Sequence, residues 1–270
     1  MQPVSANRLR GVFPSSRSHI AGRTVICTPG GPDASLAALH KKTGKTAWTT
    51  NGLSEPSCFC APILVTHGPT RQIVTVLTAS IVAVEPAKGK VLWRQPYTGK
   101  NINPVSPIYA GGHLYITSGY NDGGVMLKLA DDGKSVDIKW KDKTLDVHHG
   151  GVVLVDGYLY GANWHNNRKG EWVCLDWKTG KPRYEFAWKG NKGSIITADG
   201  MLYCYGEKGI IALVKADPNE FKIISSFKVP LGNGEHWAHP AISDGRLYVR
   251  HGNVLMVYDI KDPRSKGTSS

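Results

Sequence analysis

The sequence predicts an all-β fold built from one repeated unit of about 45 residues. Turn glycines of a hairpin pattern, Gly112, Gly157, Gly200 and Gly245, recur at intervals of 45, 43 and 45 residues. A second hairpin pattern, with a Gly-Lys turn and an aromatic end, recurs in register with the first. Almost no segment has the 3.6-residue apolar period of a helix. Four short strands in a unit of this length are typical of one blade of a β-propeller.

The first hairpin of each unit joins two short apolar runs through Asp-Gly or Gly-Gly, as in "DGYLYGANW" (156–164) and "DGMLYCYGE" (199–207). These residue pairs accept the positive φ of a tight turn and therefore predict a β-hairpin. In each unit a tyrosine follows a leucine in the second strand; these tyrosines are Tyr115, Tyr160, Tyr203 and Tyr248.

The second hairpin of each unit has a strand, a glycine turn and a strand that ends in an aromatic residue. The clearest examples are "AALHKKTGKTAW" (37–48), "VAVEPAKGKVLW" (82–93) and "VCLDWKTGKPRY" (173–184). Residues 127–140 and 212–227 are looser versions of the same pattern. Together the two hairpins supply the four strands of one blade.

The repeats predict six units and three segments of chain. The units begin near Gly22, Ala61, Val105, Gly150, Gly193 and Trp237, and the sixth lacks its outermost strand. We expect an irregular segment over residues 1–21, the propeller over 22–263 and a disordered tail over 264–270. Residues 1–21 are poor candidates for the missing strand because they are rich in Ser, Arg and Pro. The sequence therefore predicts an incomplete ring, shortened at its N-terminus, whose open blade edges favour self-association.

The second hairpins resemble a known family motif. The run A-x-D-x-x-T-G-K-x-x-W is the tryptophan-docking signature of the pyrroloquinoline quinone (PQQ)-like propeller repeats. The chain matches it three times, at residues 38–48, 83–93 and 174–184, with His40 and Glu85 in place of the usual Asp and Tyr184 in place of Trp. The resemblance covers roughly residues 22–262. It implies that certain aromatic side chains dock structurally between blades, namely Trp48, Trp93, Trp140 and Tyr184.

The resemblance implies two classes of function. Some family members are PQQ-dependent alcohol or sugar dehydrogenases of the periplasm, which hold PQQ and calcium and often carry a disulfide between adjacent cysteines. Others are binding scaffolds, such as the outer-membrane assembly lipoproteins. Here the cysteines of "CFC" (58–60) have a spacer, and no calcium-ligand set can be matched residue by residue. We therefore predict a scaffold that binds a small-molecule or protein ligand in a central funnel, with a PQQ-dependent dehydrogenase or its remnant as the alternative. A full-length family member is expected to be periplasmic or secreted.

Composition and charge exclude several other classes. The chain has 33 basic and 21 acidic residues, but the basic residues are scattered and form no nucleic-acid module, so no specific nucleic-acid partner is predicted. No apolar run is long enough for a transmembrane helix, and the first twenty residues lack the apolar centre of a signal peptide. The five cysteines have irregular spacing, which does not predict a disulfide framework.

Candidate ligand-binding residues precede the first strands of several units. They are Asn103 in unit three, His148 and His149 in unit four, Lys192 in unit five, and His236, Trp237 and His239 in unit six. In a propeller such loops converge on a central funnel, which is the usual ligand site. The alternative is that the imidazoles bond carbonyl groups of neighbouring blades, with Gly150 and Gly151 letting the backbones crowd together.

Three further expectations concern the same region. If His148 and His149 lie on a strand, their side chains point to opposite faces and only one faces the funnel. The polar residues of "NWHNN" (163–167) are predicted to form a turn rather than to bind a ligand. No catalytic residue and no metal site is predicted.

Overall fold

The computed structural model describes residues 19–97 and 102–261. These residues contain 23 strands and no helix, so no described helix could cross a membrane. The predicted tail, 264–270, and the first 18 residues lie outside the described residues. The chain divides into two compact units, Met1–Lys141 and Asp142–Ser270.

The first unit contains three four-stranded sheets whose strands follow one another in chain order. Sheet one consists of β1 (His19–Ala21), β2 (Thr24–Cys27), β3 (Ala37–His40) and β4 (Thr46–Thr49). Sheet two consists of β5 (Ile63–His67), β6 (Thr70–Val76), β7 (Ser80–Val84) and β8 (Val91–Pro96). Sheet three consists of β9 (Ile108–Ala110), β10 (His113–Ser118), β11 (Gly123–Leu129) and β12 (Val136–Asp142).

The second unit contains two four-stranded sheets and one three-stranded sheet. Sheet four consists of β13 (Val152–Val155), β14 (Tyr158–Ala162), β15 (Trp172–Asp176) and β16 (Pro182–Phe186). Sheet five consists of β17 (Gly193–Ala198), β18 (Met201–Gly206), β19 (Ile210–Lys215) and β20 (Ile223–Lys228). Sheet six consists of β21 (Ala241–Ser243), β22 (Arg246–His251) and β23 (Val254–Asp259).

The predicted turns lie where the sequence places them. Asp156, Asp199 and Asp244 all have positive φ, and so do the glycines that follow them. Two consecutive residues of positive φ make the type I′ turn that suits the twist of a hairpin. Four of the third-to-fourth strand pairs share another feature, a register shift near the end of the third strand, as at Ala38/Leu39 and Ala83/Val84. The turn type and the register shift therefore recur with the repeat, in addition to the number of strands.

The hydrophobic core lies between successive sheets within each unit. In unit one, Ile26 and Leu36 of the first sheet region pack with Ile73 and Val82 of sheet two. In unit two, Tyr160 and Trp172 of sheet four pack with Cys204 of sheet five. Apolar clusters also lie between sheets two and three and between sheets five and six, as expected when sheets stack like blades.

The tryptophan and tyrosine residues of the docking motif occupy these cores in different ways. Trp48 donates its indole N–H to the Pro86 carbonyl of the next sheet at 2.9 Å. Trp93 is buried between sheets two and three and donates instead to the Gln72 side chain at 2.7 Å. The ring of Trp140 lies 5.5 Å from that of Tyr115, and the ring of Tyr184 lies 6.3 Å from that of Phe221.

Two boundaries can be compared with the sequence prediction. The first strand begins at His19, inside the segment predicted to be irregular. The sequence did not predict it, because β1 pairs with β2 over only three residues and has no alternation of apolar and polar residues. The last sheet has three strands within the described residues, as predicted for the sixth unit.

Candidate binding site

Three loops of the second unit bring polar side chains to one small pocket. The loop before β13 supplies His148 and His149, the residue before β17 supplies Lys192, and the residue after β18 supplies Glu207. The pocket is small, with a volume of about 10 Å³, which is the space of about one water molecule. It therefore lies between sheets four and five.

Both adjacent histidines line this pocket, whereas the prediction for a strand sends their side chains to opposite faces. Their ring centroids lie 4.9 Å apart. The prediction assumed a strand, but β13 begins only at Val152 and the two histidines lie in an irregular loop. In a loop, the alternation that sends neighbouring side chains to opposite faces does not apply.

A chain of charged and polar groups fixes the pocket wall. The Lys192 ammonium pairs with Glu207, and His149 Nε2 lies 3.0 Å from the other carboxylate oxygen of Glu207. The Lys192 side chain is only 5% exposed and that of Glu207 only 11%. Burial would raise the pKa of Glu207, but the hydrogen bonds from His149 and Lys192 outweigh it and lower this pKa. The pocket thus holds a buried ion pair whose charges balance.

One nitrogen of His149 has no partner. When Nε2 carries the proton and donates to Glu207, Nδ1 is left as a lone-pair acceptor. Nδ1 is buried and has no hydrogen-bond partner among the described residues. An unsatisfied buried polar atom costs about 1–3 kcal/mol, so a donor that reached Nδ1 would gain that contribution.

His148 is held neutral beside this group. Burial, followed by the charges of His149 and Lys192, lowers the pKa of His148 from 6.5 to about 4. At neutral pH the pocket therefore presents a neutral imidazole next to a balanced ion pair.

The loop between β20 and β21 borders the same histidines. The Trp237 ring lies 5.2 Å from that of His149, and Trp237 is 52% exposed. The His239 Nε2 lies 2.9 Å from the His149 carbonyl oxygen, which is the carbonyl-bonding arrangement that the sequence left open as an alternative. An exposed tryptophan thus lies at the side of a polar pocket.

His236 belongs to a different cluster. Its Nδ1 lies 2.5 Å from the Tyr205 hydroxyl, and its ring stacks on that of His251 with centroids 3.7 Å apart. Burial and the nearby His251 lower the pKa of His236. Both nitrogens of His251 face backbone carbonyls, those of Leu231 at 2.8 Å and Gly234 at 2.9 Å. This cluster anchors the 229–240 loop that carries Trp237.

Asn103 and the CFC cysteines lie in the first unit. Asn103 is fully buried, and its backbone N–H donates to the Cys58 carbonyl at 2.8 Å. Burial raises the pKa of Cys58 to about 11 and that of Cys60 to about 12. Both are therefore protonated thiols at neutral pH, which makes them unreactive.

Glu207 is the site residue that the sequence prediction missed. It follows the strand "MLYCYG", whereas all the predicted site residues lie in loops before the first strand of a sheet. One signal was present: buried Lys192 needs a counter-ion, and an acidic residue at the far end of the paired strand β18 is placed to supply it.

Comparisons with known proteins identify the class of fold. A family model described as "Outer membrane protein assembly factor BamB" matches residues 32–146. The match confirms the resemblance to PQQ-like repeats over residues 32–146, and the six antiparallel sheets are those of a β-propeller fold. No curated protein sequence matches the chain.

Solved structures resemble the chain at low sequence identity. BamB from Moraxella catarrhalis has a TM-score of 0.64 and 14% identity, covering 89% of this chain and 70% of that one. A functionally unknown protein from Desulfotomaculum acetoxidans has a TM-score of 0.63 and 14% identity, covering 90% and 81%. The dihydro-heme d1 dehydrogenase NirN, in complex with DHE, has a TM-score of 0.62 and 17% identity, covering 88% and 53%. At these identities the similarity establishes the fold alone, and a function has to be argued from the residues of the site.

Proposed function

We propose that the protein is a binding propeller that docks a partner protein on the surface formed by Trp237 and the pocket of His148, His149, Lys192 and Glu207. The observation that carries the proposal is the exposed Trp237 ring beside a wall fixed by the Lys192–Glu207–His149 chain. Tryptophan dominates the affinity of many protein interfaces, and it does so best beside rigid, well-packed neighbours.

The size of the pocket favours a partner that covers its mouth over a free ligand that enters it. Small-molecule sites usually have volumes of about 300–1,000 Å³, whereas this pocket has about 10 Å³. The 229–240 loop also exposes Leu231, at 58%, in addition to Trp237. Apolar side chains of a partner would contact Trp237 and Leu231 at the surface, while the Lys192–Glu207 pair stays buried.

The family description adds independent support, since it refers to an assembly factor for outer membrane proteins. Such a role works through protein contacts and takes place outside the cytoplasm. We accordingly extend the proposal to an exported location, which fractionation of cells that express the native gene would test.

The alternative is a PQQ-dependent dehydrogenase. The pocket offers little to this cofactor, a tricarboxylate, because its one ammonium group already pairs with Glu207 and its volume is small. Titration of the protein with PQQ and calcium tests this alternative. Binding near one equivalent, with dye-linked oxidation of an alcohol, would support the enzyme and contradict the scaffold.

The docking proposal is tested by photo-crosslinking in cells. A photoreactive phenylalanine analogue replaces Trp237 in one strain and Ile224 in the control strain, since Ile224 is 53% exposed and lies outside the pocket. We expect one defined protein to be crosslinked from position 237 and not from 224. Identical products from both positions, or none from 237, would contradict the proposal.

A further inference from the structure

A second group of polar side chains lies on one face of sheet four. The β14–β15 hairpin extends beyond its strands: Asn163 N–H donates to the Glu171 carbonyl at 2.8 Å and His165 N–H to the Lys169 carbonyl at 3.0 Å. Opposed residues in antiparallel strands share a face, as do residues two apart. Asn163, His165 and Glu171 therefore lie on one face, and Glu185 joins them because it is opposite Val173.

The ligating atoms of three of these residues are close together. One nitrogen of His165 and one carboxylate oxygen each of Glu171 and Glu185 all lie within 4.8 Å of one another. The His165 Nε2 and a Glu171 oxygen are 3.7 Å apart. Ligands at about 2.0–2.1 Å from a tetrahedral zinc ion are about 3.4 Å apart. The three side chains thus need only a small inward movement to share one ion.

The charge of the group also favours a cation. The protein as a whole has a net charge of +12. Within the described part of the chain, however, no lysine or arginine forms an ion pair with Glu171 or Glu185, and the one ion-pair partner of Glu171 is His165. Two neighbouring carboxylates repel each other unless a positive charge lies between them.

Asn163 forms hydrogen bonds with both glutamates, Glu171 and Glu185. It is buried, at 3% exposed. Its side-chain oxygen accepts the Glu171 backbone N–H at 2.7 Å, and its side-chain nitrogen lies 3.4 Å from a Glu185 oxygen. Metal ligands are usually oriented by such hydrogen bonds, whose loss weakens binding about 10–100-fold.

We propose that His165, Glu171 and Glu185 form a binding site for a divalent transition-metal ion, with zinc the best match to one imidazole and two carboxylates. Three protein ligands leave a fourth position on the ion for water or for a group of a bound molecule. His165 has this role in addition to the turn predicted for residues 163–167. The proposal stands apart from the docking surface, because none of the three ligands lines the pocket or contacts Trp237.

The test is a titration of the full chain with Zn²⁺ by calorimetry and with Co²⁺ by visible absorption. We expect one tight equivalent in the wild type and Co²⁺ bands of a low-coordinate site. His165→Ala and Glu185→Gln should each weaken that equivalent at least tenfold, and Asn163→Ala should weaken it about tenfold. His40→Ala is the matched control, because it removes another exposed imidazole.

Background binding at the other histidines and the cysteines is the same in all variants and is subtracted. Melting temperatures in EDTA establish that the surface variants fold, since His165 and Glu185 are both exposed. Equal stoichiometry and affinity in wild type, His165→Ala and Glu185→Gln would overturn the proposal.

Discussion

At the scale of single residues, the Lys192–Glu207 pair is the most consequential contact of the pocket. Removing one partner of a buried ion pair leaves the other charge uncompensated and costs about 3–5 kcal/mol. We expect Glu207→Gln to lower the free energy of unfolding by about this amount, because the Lys192 side chain is 5% exposed. Urea denaturation measures the change.

A double variant serves as the control for this prediction. Lys192→Met with Glu207→Leu removes both charges and should be much closer to wild type than Glu207→Gln alone. Ordinary surface substitutions change the free energy of unfolding by up to about 0.5 kcal/mol. A change no larger than this for Glu207→Gln would contradict the predicted contribution of the ion pair.

His148 predicts a pH dependence of stability. Its pKa is about 4 in the folded protein against 6.5 for the ordinary imidazole, with His149, Lys192 and Glu207 as the neighbouring charged or titratable groups. The unfolded chain therefore binds a proton that the folded chain does not, so the free energy of unfolding falls as pH decreases from about 6.5 to about 4. The contribution is fully present above pH 6.5.

The check is a series of urea titrations between pH 7.5 and 4 on wild type and His148→Gln. The variant should show a shallower loss of stability across this window. His236, whose pKa is also lowered, contributes the same sign and remains in both proteins. Parallel curves for the two proteins would count against a depressed pKa at His148.

At the scale of elements, the close approach of sheets four and five depends on Gly150. A Cβ at this position would lie 1.9 Å from the Gly193 carbonyl oxygen, and the Gly150 carbonyl accepts the Ile195 N–H at 3.0 Å. The neighbour is backbone and cannot rotate away, so Gly150→Ala should destabilise by about 3 kcal/mol or more.

Gly44→Ala is the comparison that isolates this effect. Gly44 has φ +68° and no atom within 4 Å of an added Cβ, so its substitution brings only backbone strain of about 1–2 kcal/mol. Thermal unfolding should place Gly150→Ala well below Gly44→Ala. Equal melting temperatures of the two variants would mean that sheets four and five can move apart without loss of stability.

The elements also show how far sequence alone could go. Strands and turns were predictable because each is specified locally, by an Asp-Gly or Gly-Lys turn between apolar runs, and because the repeat checks each assignment against the others. The strand β1 was not, because three residues paired to β2 leave no periodic pattern. The site was half predictable. The first-strand loops gave His148, His149 and Lys192, whereas Glu207 and the Asn163–Glu171 hairpin extension depend on pairings between strands that sequence does not display.

At the scale of the whole molecule, the last sheet presents an outer strand to solvent. Strand β23 has a partner on one side only within the described residues, and it exposes Leu255 at 62% and Val257 at 51%. Such an edge can pair with another chain. We expect concentration-dependent self-association by light scattering, reduced by Leu255→Lys and not by Ile224→Lys. Association that is insensitive to both substitutions would place the contact elsewhere.

The docking of a partner at Trp237 is the claim on which the functional account depends. The most direct test is the Kd between this protein and the partner that is crosslinked from position 237. It is measured for wild type, Trp237→Ala and Ile224→Ala. We expect Trp237→Ala to weaken binding at least about thirtyfold, corresponding to about 2 kcal/mol, while Ile224→Ala leaves the Kd unchanged. Equal affinity of wild type and Trp237→Ala would contradict it.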